Sequence, residues 1–331
     1  MSVEKIISDW KKKQFRPIYW LEGEEEYYID KAVEYAEHHI LTEAEASFNL
    51  TIFYGKDANW ADILNACRRY PMFAERQVVL LKEAQQMKDV EKLEPYIENP
   101  LSSTILVVSY KDKKLDARKK FSKLVKENGV LITTKKFYDR DLPNWTQDLV
   151  KSKGLTISPK GLALLVDHIG NDLSRIENEI TKMSVNLGKR TTITEDDIEQ
   201  YIGVSKEFNV FELQSALAQK DFARAIRIIQ YFESNPKANP IQLVLPSLYG
   251  FFSKVYMVFG VHGDERTVAT QIGVNPFFVK DYIQASRLYG FPGVEKVLLL
   301  LHQYNLKSVG VGSGSADDGS LLKEMIIKMM A

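Results

Sequence analysis

Two stretches of the 331-residue chain carry side chains whose type and spacing invite a chemical reading. The first is Gly23-Glu24-Glu25-Glu26, which lies between a strand pattern at 17–21 and a helical pattern at 27–40. Three adjacent carboxylates repel further negative charge, so this turn disfavours a polyphosphate. The second is Tyr70-Pro71-Met72-Phe73-Ala74-Glu75-Arg76, which joins a helical pattern, Trp60 to Arg69, to a buried-strand pattern at 77–81. Pro71 stops the helix, because its ring removes a backbone donor and restricts Tyr70. Met72 and Phe73 therefore sit on a short connection, and short connections run over the surface. Two large apolar side chains there either fold back to cap the core or dock into another protein. A pliable Met beside an aromatic ring suits a partner's pocket. On the pattern alone the core cap is favoured, since most large apolar side chains are buried.

Catalytic constellations are missing from the pattern. No Ser/His/Asp, Cys/His or paired-carboxylate arrangement stands out; Asp196-Asp197 open a helix and Asp317-Asp318 lie in the Gly/Ser loop expected at 310–319. The five histidines, at 38, 39, 168, 262 and 302, have no metal-ligand company, and His38 and His39 point apart on a helix. No catalytic, cofactor-binding or metal-binding residue is expected. Lys+Arg and Asp+Glu both number 44, which argues against a dedicated, strongly basic nucleic-acid binder. Cys67 is the sole cysteine, so no disulfide forms within the chain, as suits a reducing compartment. With no signal peptide and no apolar run of membrane length, the expectation is a soluble cytoplasmic protein.

The elements that must position these residues follow from the periodicity. Strand patterns at 17–21, 50–54, 77–81, 103–108 and 130–133 alternate with helical ones at 27–40, 60–69, 90–98 and 115–127. That alternation predicts a mostly parallel sheet covered by helices on both faces. After residue 140 the strand patterns stop. Helices are expected at 142–152, 159–168, 172–186 and 195–201, followed by a linker at 203–209. Further helices are expected at 210–219, 221–234, 240–260, 266–272, 276–289, 294–308 and 319–330. The predicted fold class is α/β followed by all-α, with domains at 1–140, 141–207 and 208–331. With 45% hydrophobic residues the chain can bury sizeable cores without staples.

A sheet domain followed by a small helical domain is the layout of AAA+ nucleotide-binding modules. There the first strand leads into a phosphate loop, G-x-x-x-x-G-K-[ST]. Here it leads into Gly23-Glu24-Glu25-Glu26-Tyr27-Tyr28-Ile29-Asp30-Lys31, with one glycine and no Gly-Lys-Ser/Thr. The third strand should end in Mg²⁺-holding acids, but it ends in Leu81-Lys82-Glu83. ATPase activity is therefore not expected.

Several stretches, in this order and spacing, resemble the delta subunit of the bacterial DNA polymerase III clamp loader. They are Leu21-Glu22-Gly23-Glu24-Glu25, Pro71-Met72-Phe73-Ala74-Glu75-Arg76 before Val78-Val79-Leu80, the segment from Gly170 to Lys182, Asn209-Val210-Phe211-Glu212-Leu213, and Asn305-Leu306-Lys307-Ser308. The family often has an acidic residue where Asn305 stands. The resemblance spans nearly the whole chain. It implies a non-catalytic AAA+-like domain, a helical lid domain and a helical collar that oligomerises. It also implies binding and opening of the sliding clamp (the beta subunit) for loading onto primed DNA during replication. The implied partners are the ATPase subunits (gamma/tau), delta-prime and primer–template DNA, within the DNA polymerase III holoenzyme, a DNA-directed DNA polymerase. The family's two apolar clamp contacts match Met72 and Phe73, with leucine commonly in place of Met72, a volume-conserving change. Pro71 and Tyr70 complete the expected clamp-binding set. With the family in view, the partner-pocket reading overtakes the core cap.

Two other features invite DNA. Residues 111–136 hold ten Lys or Arg against three acids, and Lys113, Lys114, Arg118, Lys119 and Lys120 are the possible DNA-facing set; a solvated helix face is the commoner origin of such a run. Residues 266–289 resemble a helix-turn-helix, with Ala269 and Gly273 at the spacing of a tight turn. The rival function is thus a helix-turn-helix DNA-binding protein, with Lys280, Gln284 and Arg287 as the available base readers.

Overall fold

The computed structural model describes residues 2–236, 239–311 and 317–330. It divides into two compact units, 1–141 and 142–331.

The first unit is built on a five-stranded sheet. Its strands are β1 (Ile18–Gly23), β2 (Leu50–Tyr54), β3 (Gln77–Lys82), β4 (Thr104–Lys111) and β5 (Val130–Thr134), in the order β2-β3-β4-β1-β5. Every pair is parallel, so both faces must be covered. Alternate side chains go to opposite faces, as the two-residue period of a strand requires. Ile18, Trp20, Val79, Leu81, Leu106 and Val108 meet α4 (Trp60–Arg68), α5 (Glu94–Glu98) and α6 (Lys120–Asn128). Tyr19, Leu21, Val78, Leu80, Ile105 and Val107 meet α1 (Val3–Lys11) and α2 (Glu26–His39).

Two helices of this unit lie outside the sequence expectation. One is α1, whose Val3, Ile6 and Trp10 are buried at helical spacing. The other is α3 (Glu43–Asn49), which opens on a capping box between Thr42 and Glu45. The basic helix expected at 115–127 starts only at Lys120. The buried Glu22 carboxylate accepts the Leu115 N–H at 2.8 Å, and Asp116 accepts the Arg118 N–H at 3.0 Å. These bonds hold 115–118 as a turn, because carboxylates that capture backbone donors compete with the helix ladder. The helix expected at 90–98 divides into a 3₁₀ turn, Val90–Leu93, and α5.

The second unit opens with α7 (Leu142–Ser152), α8 (Pro159–Ile169), α9 (Leu173–Asn186) and α10 (Glu195–Ile202). Strands do not stop at residue 140. β6 (Thr156–Ile157) and β7 (Thr192–Ile193) form a parallel ladder with Ile157 opposite Ile193. Two residues are too few to leave a periodic signature. Next come α11 (Val210–Ala218), α12 (Phe222–Ser234), α13 (Ile241–Val258), α14 (Glu265–Ile272), α15 (Val279–Ser308) and α16 (Asp318–Met330). The segments expected as 276–289 and 294–308 form α15, which kinks at Gly290, where φ is 64°, ahead of Pro292. Such a break is what Gly and Pro impose on a helix. By length and composition α13 could cross a membrane, contrary to the expectation of no such run. Its Val244, Leu245, Leu248, Phe251, Phe252 and Val255 instead fill one core with α11, α12, α15 and α16. The buried Glu212 of α11 pairs with Lys160 of α8 and Arg224 of α12, which ties the early helices to this bundle.

Candidate partner-docking loop

The local sequence explains how residues 70–76 are presented. Helix α4 starts on Asn59, whose side chain accepts the Ala61 N–H at 2.9 Å, and buries Ile63, Leu64 and Cys67. It ends at Arg68, and Arg69 is already extended, with ψ 150°. The final carbonyls of a helix need partners. Gln77, buried at the start of β3, donates to Ala66 O at 3.0 Å and to Arg69 O at 2.6 Å. Thr104 of β4 donates to Cys67 O at 2.9 Å. Both strands therefore cap α4 and fix where the chain leaves it.

Past this base the chain turns outward. Tyr70 is 80% exposed, Met72 52% and Phe73 93%; Pro71 is half-buried. Phe73 has φ 56°, in the left-handed region, which an aromatic residue occupies only when its flanks hold it there. On the far side the Arg76 guanidinium lies over the Phe15 ring, 4.6 Å from its centre. Met72 and Phe73 lie beyond the end of α4 rather than on its last turn, and neither belongs to the core clusters of the sheet.

Sequence reasoning did not reach Asn49, the last residue of α3. It is 2% exposed, its Oδ1 accepts the Met72 N–H at 2.7 Å, and its Nδ2 donates to Met72 O at 2.9 Å. The signal for α3 was present in Thr42-Glu43-Ala44-Glu45, but nothing in the sequence ties residue 49 to residue 72. Phe48, the neighbour of Asn49, is a further exposed aromatic residue, at 64%.

Where a phosphate loop would lie, Gly23 has φ 122°, and a Cβ there would stand 2.1 Å from Thr134 O. Only glycine fits. Glu25 then caps α2 with its own carboxylate, which accepts the Tyr27 N–H at 3.3 Å. Burial pushes this carboxyl above its ordinary range, opposed by backbone N–H groups of Tyr27 and Phe137. The amide end that could bind an anion is thus already met by an anion. Lys111 bridges Glu26 at 3.0 Å and Asp30 at 2.8 Å, and Lys114 meets Glu24 at 3.3 Å. At the end of β3, Lys82 pairs with Glu37 at 2.5 Å.

The possible DNA-facing residues are spread over the turn before α6 and its first residue. Lys113 donates to Gln85 O at 3.2 Å. Lys114 meets Glu24, Arg118 meets Asp116 at 2.7 Å, Lys119 meets Glu91 at 2.6 Å and Lys120 meets Glu94 at 2.7 Å. Four of the five therefore have a carboxylate beside them, so the local field is weaker than the sequence count implies. Among the described residues, no cluster of His, Cys, Asp and Glu could hold a metal ion.

Residues 19–135 match the family model described as DNA polymerase III, delta subunit. The DNA polymerase III subunit delta of Bacillus subtilis (strain 168) is 24% identical over 331 residues, covering 97% of this chain and 94% of its own. The probable DNA polymerase III subunit delta of Aquifex aeolicus (strain VF5) is 22% identical over 282 residues, covering 80% and 77%. In fold, the chain matches the solved Bacillus subtilis DNA clamp loader delta protein with a TM-score of 0.54 at 23% identity, over 99% of each chain. The chain thus shares the fold of that protein over its whole length.

Packing displaces the helix-turn-helix reading of 266–289 and also explains the mimicry. Gly273 caps α14 with φ 66°, as a tight turn needs. The following helix buries Val279 and packs Tyr282 and Ile283 against α14. The Tyr282 ring centre lies 4.6 Å from that of Phe251 on α13. A helix whose aromatic face is committed to its own bundle is a bundle helix, though Lys280, Gln284 and Arg287 remain exposed.

Proposed function

We propose that this chain binds the sliding clamp and opens its ring for loading onto primed DNA, as a subunit that itself performs no ATP hydrolysis. The observation that carries the reading is the Tyr70-Pro71-Met72-Phe73 tip, which is exposed although apolar and is fastened at its base. A large aromatic at 93% exposure gains nothing from its own fold. Rigid presentation lowers the ordering cost of docking. In this reading the ATPase (gamma/tau) and delta-prime subunits supply nucleotide chemistry, residues 141–207 serve as a lid domain, and 208–331 serve as the oligomerising collar. The setting is the bacterial cytoplasm, and primer–template DNA passes through the assembled complex. The basic turn at 113–120 is available to it, although its charges are largely paired.

The test is the double change Met72→Ala and Phe73→Ala. Truncating one central anchor typically costs at least ~2 kcal/mol of binding, roughly thirtyfold, so the pair should abolish measurable clamp binding and ring opening. Melting temperature should stay near that of the parent. A core role predicts the opposite pattern, a loss of about 2–5 kcal/mol of folding stability per truncation. A double variant that melts far lower yet binds the clamp normally overturns the reading.

A further inference from the structure

We infer that Asn49 is the positioning residue of the docking loop: its side-chain amide fixes the backbone of Met72 so that Met72 and Phe73 point outward in one preset arrangement. This rests on the clamp-anchor reading above. The bonds are to the backbone alone. Oδ1 takes the Met72 N–H at 2.7 Å and Nδ2 gives to Met72 O at 2.9 Å. A primary amide offers an acceptor and a donor side by side, so it pairs with a residue's backbone as a strand neighbour would; no carboxylate or hydroxyl does both in that geometry. The Met72 side chain is left free for a partner.

Three further observations give these bonds their importance. Asn49 is buried, so water competes little for its hydrogen bonds. It stands where α3 passes into β2, the edge strand of the sheet, which makes its attachment rigid. Phe73, one residue on, holds a left-handed φ of 56°. Aromatic residues leave that region readily unless their neighbours are fixed. With Gln77 gripping Arg69 O at 2.6 Å, the exposed tip is fastened before and within the turn. Asn49 Nδ2 also donates to Glu45 O at 3.0 Å, which finishes α3. That bond is the merely structural role from which positioning must be separated.

Three measurements on the full chain separate them: affinity for the purified sliding clamp, hydrogen exchange of the Met72 amide in the free protein, and melting temperature. Asn49→Ala should bind the clamp roughly tenfold more weakly, with faster Met72 exchange and little change in melting. Asn49→Asp keeps an acceptor for the Met72 N–H but sets a carboxylate oxygen against Met72 O and Glu45 O, so its affinity should fall at least as far as that of Asn49→Ala, again with faster Met72 exchange. If Asn49→Ala binds as the parent does while Met72→Ala/Phe73→Ala does not, the positioning role is wrong and the anchors stand. If the anchor double variant binds as the parent does, the docking reading fails, and positioning for docking fails with it. Should Asn49→Ala melt far lower, Asn49→Asp decides: weakened binding with unchanged Met72 exchange overturns the proposal.

Discussion

Arg190 grips the buried carboxylate of Asp197 with two hydrogen bonds, Nη2 to Oδ1 at 2.7 Å and Nη1 to Oδ2 at 3.2 Å. The same carboxylate accepts the Thr194 N–H at 2.9 Å and closes a capping box at the start of α10. Asp197 is thus a helix cap, and the Asp196-Asp197 pair has no acid–base geometry. Its neighbour Asp196 turns instead to Lys206, 2.5 Å away.

A pH prediction follows from this pair. Arg190 first, and then the Thr194 donors, hold the Asp197 carboxyl below its ordinary range, with burial opposing. A depressed acid stabilises the fold above its unfolded pKa, about 4 for Asp, and loses that contribution as pH falls through the folded value. Asp197→Asn should cost roughly 1–3 kcal/mol at neutral pH. Its melting temperature should also converge on that of the parent as pH is lowered from 6 towards 3. A gap that stays constant over that range would count against the pair as the source.

The isolated chain should neither bind nor hydrolyse ATP. Glu25 already caps the α2 terminus, and Glu24 and Glu26 flank it. Titration with a fluorescent ATP analogue should give no saturable signal at micromolar concentration. Binding that disappears when this turn is mutated would contradict the expectation.

Residues 1–207, expressed without the helices from α11 onward, should lose assembly with the ATPase subunits and keep clamp binding. The motive is that α11, α12, α13, α15 and α16 share one continuous core while leaving Leu243, Tyr249 and Leu299 exposed. Stoichiometric assembly of the shortened chain on a sizing column would remove the collar assignment.

Cys67, fully buried under the sheet, has its thiol pushed up to about 12 by burial. Reagents attack the thiolate. As the sole cysteine it should stay unlabelled in the native protein and react at the rate of unfolding. Fast labelling under native conditions would mean that the α4–sheet contact opens locally.

The sequence by itself determined the sheet unit, the end of α4 near Pro71 and the lack of a phosphate loop. Each of these is a local property. Runs such as Ile105-Leu106-Val107-Val108, apolar and mostly β-branched, suit a strand covered on both faces, and a proline or a Glu-Glu-Glu run acts within a few residues of itself. The boundaries near 115–120 and the β6–β7 pair were decided by contacts across the chain, such as Glu22 with Leu115 and Ile157 with Ile193. The turn at 266–289 carried a local signature that fits two folds, and only the packing of Tyr282 against Phe251 chose between them. Whether Met72 and Phe73 turn in or out was open in the sequence, because both fates use the same apolar residues. Tertiary structure decided it through Asn49 and Gln77, which hold the backbone from elements 23 and 8 residues away. A hydrogen bond to backbone leaves no trace in the identity of the residue it holds, so no reading of residues 70–76 alone could have found it.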